Sequence, residues 1–452
     1  MVLFVGVRIL AAPMVTPFPE YVADEGALYV AAIRLDEWVE DALYADEDLA
    51  WSFPAGTALR LALTPDRHLV VRPPNPDWQG LETIALTVCN PAGACATATA
   101  SFRVENTPDA PVIEWIPDQV TSEGTAFAPL DLGPYGWDPD GDDVVWEARG
   151  GPVLTAAVVD GVLHVQAPGG WSGREDVRLE LRDPSGRRAT RSVGCVVSAE
   201  ELPVVITALG VEGIVIECGD VKVLIDALVR DALPLTSSER ERLQRAAPPY
   251  DGVTLALTTH PHYDHFDAGY AAQFLTHASS AVFVSVGETV DALRRERGWS
   301  AIADRVLEIA FSPGTRTELD LAGVRVTAFH LEHTGPGGLP NLAYLVDVGG
   351  VRILHLGDAT ETWPAADLIA WFGWPSLGID VLLGSLRWVA ASPDTSLIAR
   401  AVAPRYVIPI HFGGLCPPSQ MSYTLGDATL TLLCAKGASW IVPPRTRGGG
   451  SP

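Results

Sequence analysis

Two pairs of tryptophans constrain the N-terminal half of this chain. Trp51 and Trp146 stand 95 residues apart, and Trp78 and Trp171 stand 93 apart. The text around them also recurs. LDEWVEDALYADEDLAW (Leu35–Trp51) parallels LDLGPYGWDPDGDDVVW (Leu130–Trp146), and DWQGLETIALTVCNPAGACATATASFRV parallels GWSGREDVRLELRDPSGRRATRSVGCVV. Two offsets that nearly agree imply two copies of one module of roughly 90–95 residues. Strand-like runs such as GTALRLALT, HLVVRP and ETIALTV alternate with Pro, Gly, Asn and Asp clusters, so each copy reads as a β-sandwich. The polar, proline-containing ENTPDAP separates them. The expected modules are 1–107 and 108–200.

From about Leu202 the texture changes. PVVITALG, GIVIECG and KVLIDAL read as strands, and SSERERLQRAA and ETVDALRRERG as helices. VRVTAFHL, NLAYLVDV, VRILHLGD and RYVIPIH are further strands, with a helix near TSLIARAVA. Strands alternating with helices indicate an α/β domain, placed at 201–447 and followed by a disordered tail, 448–452. The chain is multidomain on this reading, in keeping with its 452 residues.

Hydrophobic residues make up 48% and charged residues 19%, which fits folded protein. A net charge of −25 repels phosphate backbones and argues against nucleic acid as a partner. No apolar run reaches the roughly 20 residues of a membrane-spanning helix. The opening MVLFVGVRILAAP reads either as the remnant of a signal peptide or as a first strand. Six cysteines are present. Cys89 and Cys95 flank the turn NPAGA, where facing strand positions bring two sulfurs within reach, so a bridge is one of two outcomes there. Cys195, Cys218, Cys416 and Cys434 have no metal-site spacing and read as small buried residues.

The chain has ten histidines, and three fall within THPHYDHFD, Thr259–Asp267. By composition alone, H-x-H-x-D-H arises somewhere in such a chain on the order of a few times in ten thousand. VTLALTT before it reads as a buried strand and FDAGYAAQFL after it as the start of a helix. His260, His262, Asp264 and His265 therefore lie on a strand-to-helix loop, where α/β folds build sites. Imidazole and carboxylate suit zinc, with manganese or iron as alternatives. Later strand ends offer His330 and His333, Asp358, and His411. His68 and His164 read as ordinary module histidines, His277 as a helix residue and His355 as a core residue. Tyr263 and Asp267 flank the ligands and read as packing at least as well as function.

This ordered set resembles the metallo-β-lactamase fold superfamily of metal-dependent hydrolases over about Val205–Pro443. The resemblance implies an αββα fold and two divalent ions, zinc first. It implies His260, His262 and His333 at the first ion, Asp264, His265 and His411 at the second, and Asp358 bridging them. Asp226 would orient a ligand imidazole, and Asp264 would also act in catalysis. His333 is preferred to His330 because it stands at the loop end of its strand. The implied reaction is hydrolysis of an ester, lactone or phosphoester of a small substrate by a water that the two ions share.

The modules resemble bacterial cadherin-like or Ig-like repeats, which carry a similar D-x-D-G-D stretch before a tryptophan. The run Asp138, Asp140, Asp142 and Asp143 invites calcium, against the simpler reading of a solvated acidic turn. An EF-hand loop would need Glu where Arg149 stands. Such modules imply a secreted or extracytoplasmic protein and contact with carbohydrate or a cell surface; a cytoplasmic location stays open. The competing reading is a non-catalytic adhesion or binding protein whose metal domain is structural.

Overall fold

The structure is a computed structural model describing residues 11–54, 58–199, 203–334, 338–360, 365–385, 402–411, 429–430 and 437–443. Cys416, Cys434, most of TSLIARAVA, the first ten residues and the tail from 448 lie outside them. Two compact units are present. One comprises residues 1–112, 137–145 and 181–189; the other comprises 113–136, 146–180 and 190–452.

In the first tryptophan repeat, a four-stranded sheet runs in the order Glu20–Asp24, Cys95–Glu105, Gly80–Cys89, Ala50–Ser52. A three-stranded sheet of Ala31–Arg34, His68–Arg72 and Arg60–Leu63 accompanies it. Alternation in Gly80–Cys89 buries Ile84, Leu86 and Val88 and leaves their neighbours outside, as a half-buried antiparallel strand requires. Cys89 faces Cys95 across the ladder and is disulfide-bonded to it. The second repeat reproduces this order. Gln119–Ser122, Arg188–Ser198, Gly173–Arg182 and Val145–Arg149 form its four-stranded sheet, and Leu130–Asp131, Val162–Gln166 and Thr155–Val159 its three-stranded one. In both repeats the first of these strands pairs in parallel with the last long one. The paired tryptophans do equivalent work. A Cβ on Gly80 would lie 3.3 Å from the Trp78 ring, and one on Gly173 would lie 3.0 Å from the Trp171 ring.

The C-terminal part holds two seven-stranded sheets with few helices. The first runs Val306–Ile309, Val282–Val286, Leu255–Leu257, Val221–Ile225, Gly213–Cys218, Val205–Gly210, Ser439–Ile441. The second runs Arg316–Leu321, Val324–Glu332, Pro340–Val348, Val351–His355, Val381–Ser385, Tyr406–Ile410, Thr429–Leu430. Each sheet mixes antiparallel hairpins with parallel strands joined by crossovers. One apolar cluster, including Ile206, Ile216, Val223, Leu257, Val326, Tyr344, Val346, Ile353 and Ile408, draws on strands of both sheets. Burial on both faces explains the continuous apolar runs of these strands.

Helices cover the outside. Ser237–Gln244 begins with a capping box, in which Thr236 and Glu239 satisfy each other's backbone N–H groups. Ala268–His277 is capped by Asp267, which accepts from the Tyr270 N–H at 2.8 Å. Asp267 therefore serves the helix end. Within the second unit, Trp115 packs among Leu243, Tyr250 and Phe274. Glu114 accepts a hydrogen bond from the Thr236 hydroxyl at 2.8 Å. Among the described residues no helix is long and apolar enough to cross a membrane.

Candidate metal centre

Five strand ends deliver the chemistry. Asp226 follows Val221–Ile225, and His260 lies three residues past Leu255–Leu257. His333, Asp358 and His411 follow Val324–Glu332, Val351–His355 and Tyr406–Ile410. The loop after Leu257 folds back on itself, with the His265 and Phe266 N–H groups both donating to the His262 carbonyl, at 3.0 and 2.8 Å. That turn brings His260, His262 and His265 to one side. Asp226 and His411 hold left-handed backbone, φ 49° and 64°. Non-glycine residues hold that conformation at a cost of about 1–3 kcal/mol, and such residues gather at functional sites.

Two donor groups result. Donor atoms of His260, His262, His333 and Asp358 lie within 4.8 Å of one another, and so do those of Glu212, His265, Asp358 and His411. Asp358 belongs to both. In the first group the three imidazole rings are 4.5–4.6 Å apart, centroid to centroid, and packed edge to face. His260 Nε2 stands 3.1 Å from His262 Nδ1, and His333 Nε2 stands 3.2 Å from Asp358 Oδ2. In the second, His265 Nε2 is 3.7 Å from Asp358 Oδ2, and His411 Nε2 is 3.8 Å from Asp358 Oδ1. Asp264 lies at the edge of that group, its Oδ2 3.5 Å from His411 Nε2.

Behind the donors runs a network that fixes the rings. Asp226 is fully buried and accepts from the Thr259 N–H at 2.8 Å, the Thr259 hydroxyl at 2.7 Å and His265 Nδ1 at 2.9 Å. The Thr259 hydroxyl, whose own hydrogen goes to Asp226, is left to accept a hydrogen bond from His260 Nδ1 at 3.0 Å. His333 Nδ1 donates to the Thr334 carbonyl. Each of these three rings then turns its Nε2 toward the centre, as metal-ligating histidines do. Asn341 donates to the Leu356 carbonyl and accepts from the Asp358 N–H at 3.1 Å, which holds the shared carboxylate.

Electrostatics follow from this packing. Burial and the neighbouring His265 push His260 down to about 2, so its ring stays neutral. Burial, then His333, lowers His262. Burial opposes ionisation of Asp358, but His265 and His333 beside it hold it well below the usual carboxylate range. His411 and Asp264 stabilise each other's charged forms. Burial pushes Glu212 up to about 8. His265 Nε2 and His411 Nε2 are buried with no hydrogen-bond partner among the described residues. Unpartnered imidazole nitrogens beside converging carboxylates are a donor set that fits divalent cations.

Among the residues singled out in the sequence, His330 lies elsewhere. Its Nδ1 accepts from the Ser312 N–H at 3.0 Å, its Nε2 meets the Thr317 hydroxyl at 2.9 Å, and its ring stacks on Phe311. His355 is fully buried, its Nδ1 accepting from the Gly357 N–H at 3.1 Å and its Nε2 facing the Glu212 carbonyl at 3.3 Å. Tyr263 is 82% exposed. Sequence reasoning passed over Thr259, Asn341 and Glu212. The first two sit inside stretches already quoted for their neighbours. Glu212 offers one faint signal, a lone carboxylate between two apolar runs.

A second cluster lies in the first unit. Asp138, Asp140 and Asp142 form one close group, and Glu25, Asp109 and Asp140 form another. Asp138 Oδ2, Asp140 Oδ1 and Glu25 Oε1 are buried without hydrogen-bond partners among the described residues. Asp143 belongs to neither group.

Residues 222–412 match the family model described as a beta-lactamase superfamily domain. The match to this superfamily domain spans less than half of the chain. The superfamily domain is also similar to the UPF0173 metal-dependent hydrolase STH3160 of Symbiobacterium thermophilum. Identity is 27% over 159 residues, which cover 35% of this chain and 65% of that relative. The chain thus spans just under two thirds of the relative's length. Among solved structures it is similar to Igni18, a metallo hydrolase from Ignicoccus hospitalis. Identity there is 17%, TM-score 0.40, with 54% of this chain and 100% of that one covered. Another neighbour is the human desmocollin-1 ectodomain, at 14% identity and TM-score 0.28, with 46% and 45% covered.

Proposed function

We propose that this protein is a dinuclear metal-dependent hydrolase acting on an ester, lactone or phosphoester of a small substrate. The observation that carries the reading is the pair of donor groups that share Asp358 at the ends of strands from two sheets. In this reading His260, His262 and His333 serve the first position, Asp264, His265 and His411 the second, and Asp358 is shared. Three imidazoles with one carboxylate favour zinc at the first position. Bound there, two divalent cations lower the pKa of water toward about 7 and polarise a carbonyl or phosphoryl oxygen.

The chain's own residues do the rest. Asp226, through Thr259 and His265, keeps the ligand rings in one tautomer. Asp264 is partly open to solvent and 3.5 Å from His411, so it is placed to orient the attacking water and carry its proton. Exposed Tyr263 stands next to it, on the substrate side. The sandwich modules, placed at 1–107 and 108–200, serve as a platform outside the cytoplasm, a location supported by the Cys89–Cys95 bridge. The aspartate cluster around Asp138 takes calcium, supported by its unpartnered buried oxygens. Thermal unfolding with calcium and with a calcium chelator tests that part: a midpoint unchanged between the two rules it out.

The deciding experiment measures metal content of the purified chain together with turnover on a panel of esters, lactones and phosphodiesters. Two equivalents of metal with turnover of a panel member is the expected result. His262→Ala and Asp358→Ala should each abolish turnover and lose bound metal. Full activity in either variant removes the assignment.

A further inference from the structure

We propose that Glu212 is a carboxylate ligand of the second metal position, an inference that rests on the metal-centre reading above. Glu212 sits in the two-residue turn between Val205–Gly210 and Gly213–Cys218. Val211 holds left-handed backbone there, φ 47°, and its carbonyl accepts the His411 N–H at 2.8 Å. The Glu212 carbonyl faces His355 Nε2 at 3.3 Å. The turn is thus pinned to the ends of the two strands that deliver Asp358 and His411.

The side chain is fully buried, and neither carboxylate oxygen has a hydrogen-bond partner among the described residues. A donor atom of Glu212 lies within 4.8 Å of donor atoms of His265, Asp358 and His411. Glu212 is also near Asp226 and His355, but both of those are already engaged. The Asp226 oxygens accept from Thr259 and His265, and the His355 nitrogens are taken by the Gly357 N–H and the Glu212 carbonyl. What remains for Glu212 is the side facing the unpartnered Nε2 atoms of His265 and His411. A buried carboxylate beside a second carboxylate, with no donor to either of its oxygens, is unfavourable unless a cation joins them. The second position then has two imidazoles with Asp358, Glu212 and the neighbouring Asp264, against three imidazoles and one carboxylate at the first. More oxygen makes it the harder site, better suited to manganese or iron.

The test compares metal uptake by the full chain and its Glu212→Gln variant, each stripped with a chelator and titrated separately with zinc and manganese. The wild type should take two equivalents. The variant should keep one tight ion and bind the second roughly tenfold or more weakly, with the larger loss for manganese. Its metal-free thermal midpoint should not fall, since Gln puts a neutral side chain of the same size in the buried position. Two equivalents bound by the variant with wild-type affinities overturns the assignment alone. A wild type that takes up no metal overturns the metal-centre reading and this assignment with it. Should the variant not fold, a metal-loaded crystal of the wild type decides: a Glu212 oxygen at about 2.0–2.2 Å from an ion supports the proposal, and one beyond contact with every ion refutes it.

Discussion

Asp226 does more with one side chain than any other residue of the centre. It closes the backbone after a strand, captures Thr259 twice and fixes the His265 ring. Asp226→Asn puts an N–H₂ where an acceptor is needed, so one of these bonds must break. Metal affinity should fall by about 10–100-fold while the fold persists, read by competition with a coloured chelator. Gly357 is the opposite case, a residue defined by absence. Its φ is 55°, and a Cβ there would stand 2.6 Å from Asn341 Oδ1 and 2.8 Å from the Thr259 Cβ. Gly357→Ala should cost about 1–3 kcal/mol in denaturant unfolding, through both backbone strain and crowding. The histidine and aspartate donors after Leu257 were legible because they cluster within six residues on a strand-to-helix loop. Glu212 was not, because its companions come from strands more than 50 residues away.

At the level of elements, alternation and continuous apolar runs marked the strands well. VRVTAFHL and NLAYLVDV become Val324–Glu332 and Pro340–Val348, and the run through KVLIDAL ends one residue short of Asp226. Helix ends were harder. ETVDALRRERG reads as one helix, but the helix stops at Leu293, and Gly298 with φ 90° starts the next turn. Run length alone does not reveal a stop that tertiary contacts impose. The Cys89–Cys95 hairpin is a local staple. Replacing both cysteines with serine should lower stability by roughly 2 kcal/mol, because the closed loop is short. Non-reducing and reducing thermal scans of the wild type should show the same gap. Trp115 is 7% exposed and lies in the helix-side core of the second unit. Trp115→Ala should cost about 3–5 kcal/mol, measured in urea.

Over the whole chain, two sequence signals had different reach. Repeat offsets located the two sandwiches, since a duplicated module leaves its tryptophans at matching intervals. Strand and helix alternation located the C-terminal layers. Neither source carried the meeting of the turn between Val205–Gly210 and Gly213–Cys218 with the end of Tyr406–Ile410, which sets Glu212 against a histidine about 200 residues later. Convergence of that kind is a property of sheet order, which no local pattern encodes. Asp358 sits in both donor groups, so under the proposed dinuclear reading the two positions would not load independently. Whichever ion arrives first spends part of that single carboxylate's charge, and the newcomer meets both a depleted anion and a like-charged neighbour. Uptake should therefore proceed in two separated phases, and chelation should strip one ion well before the other. A half-loaded form, distinct from the empty and full ones, would accumulate at intermediate metal concentrations.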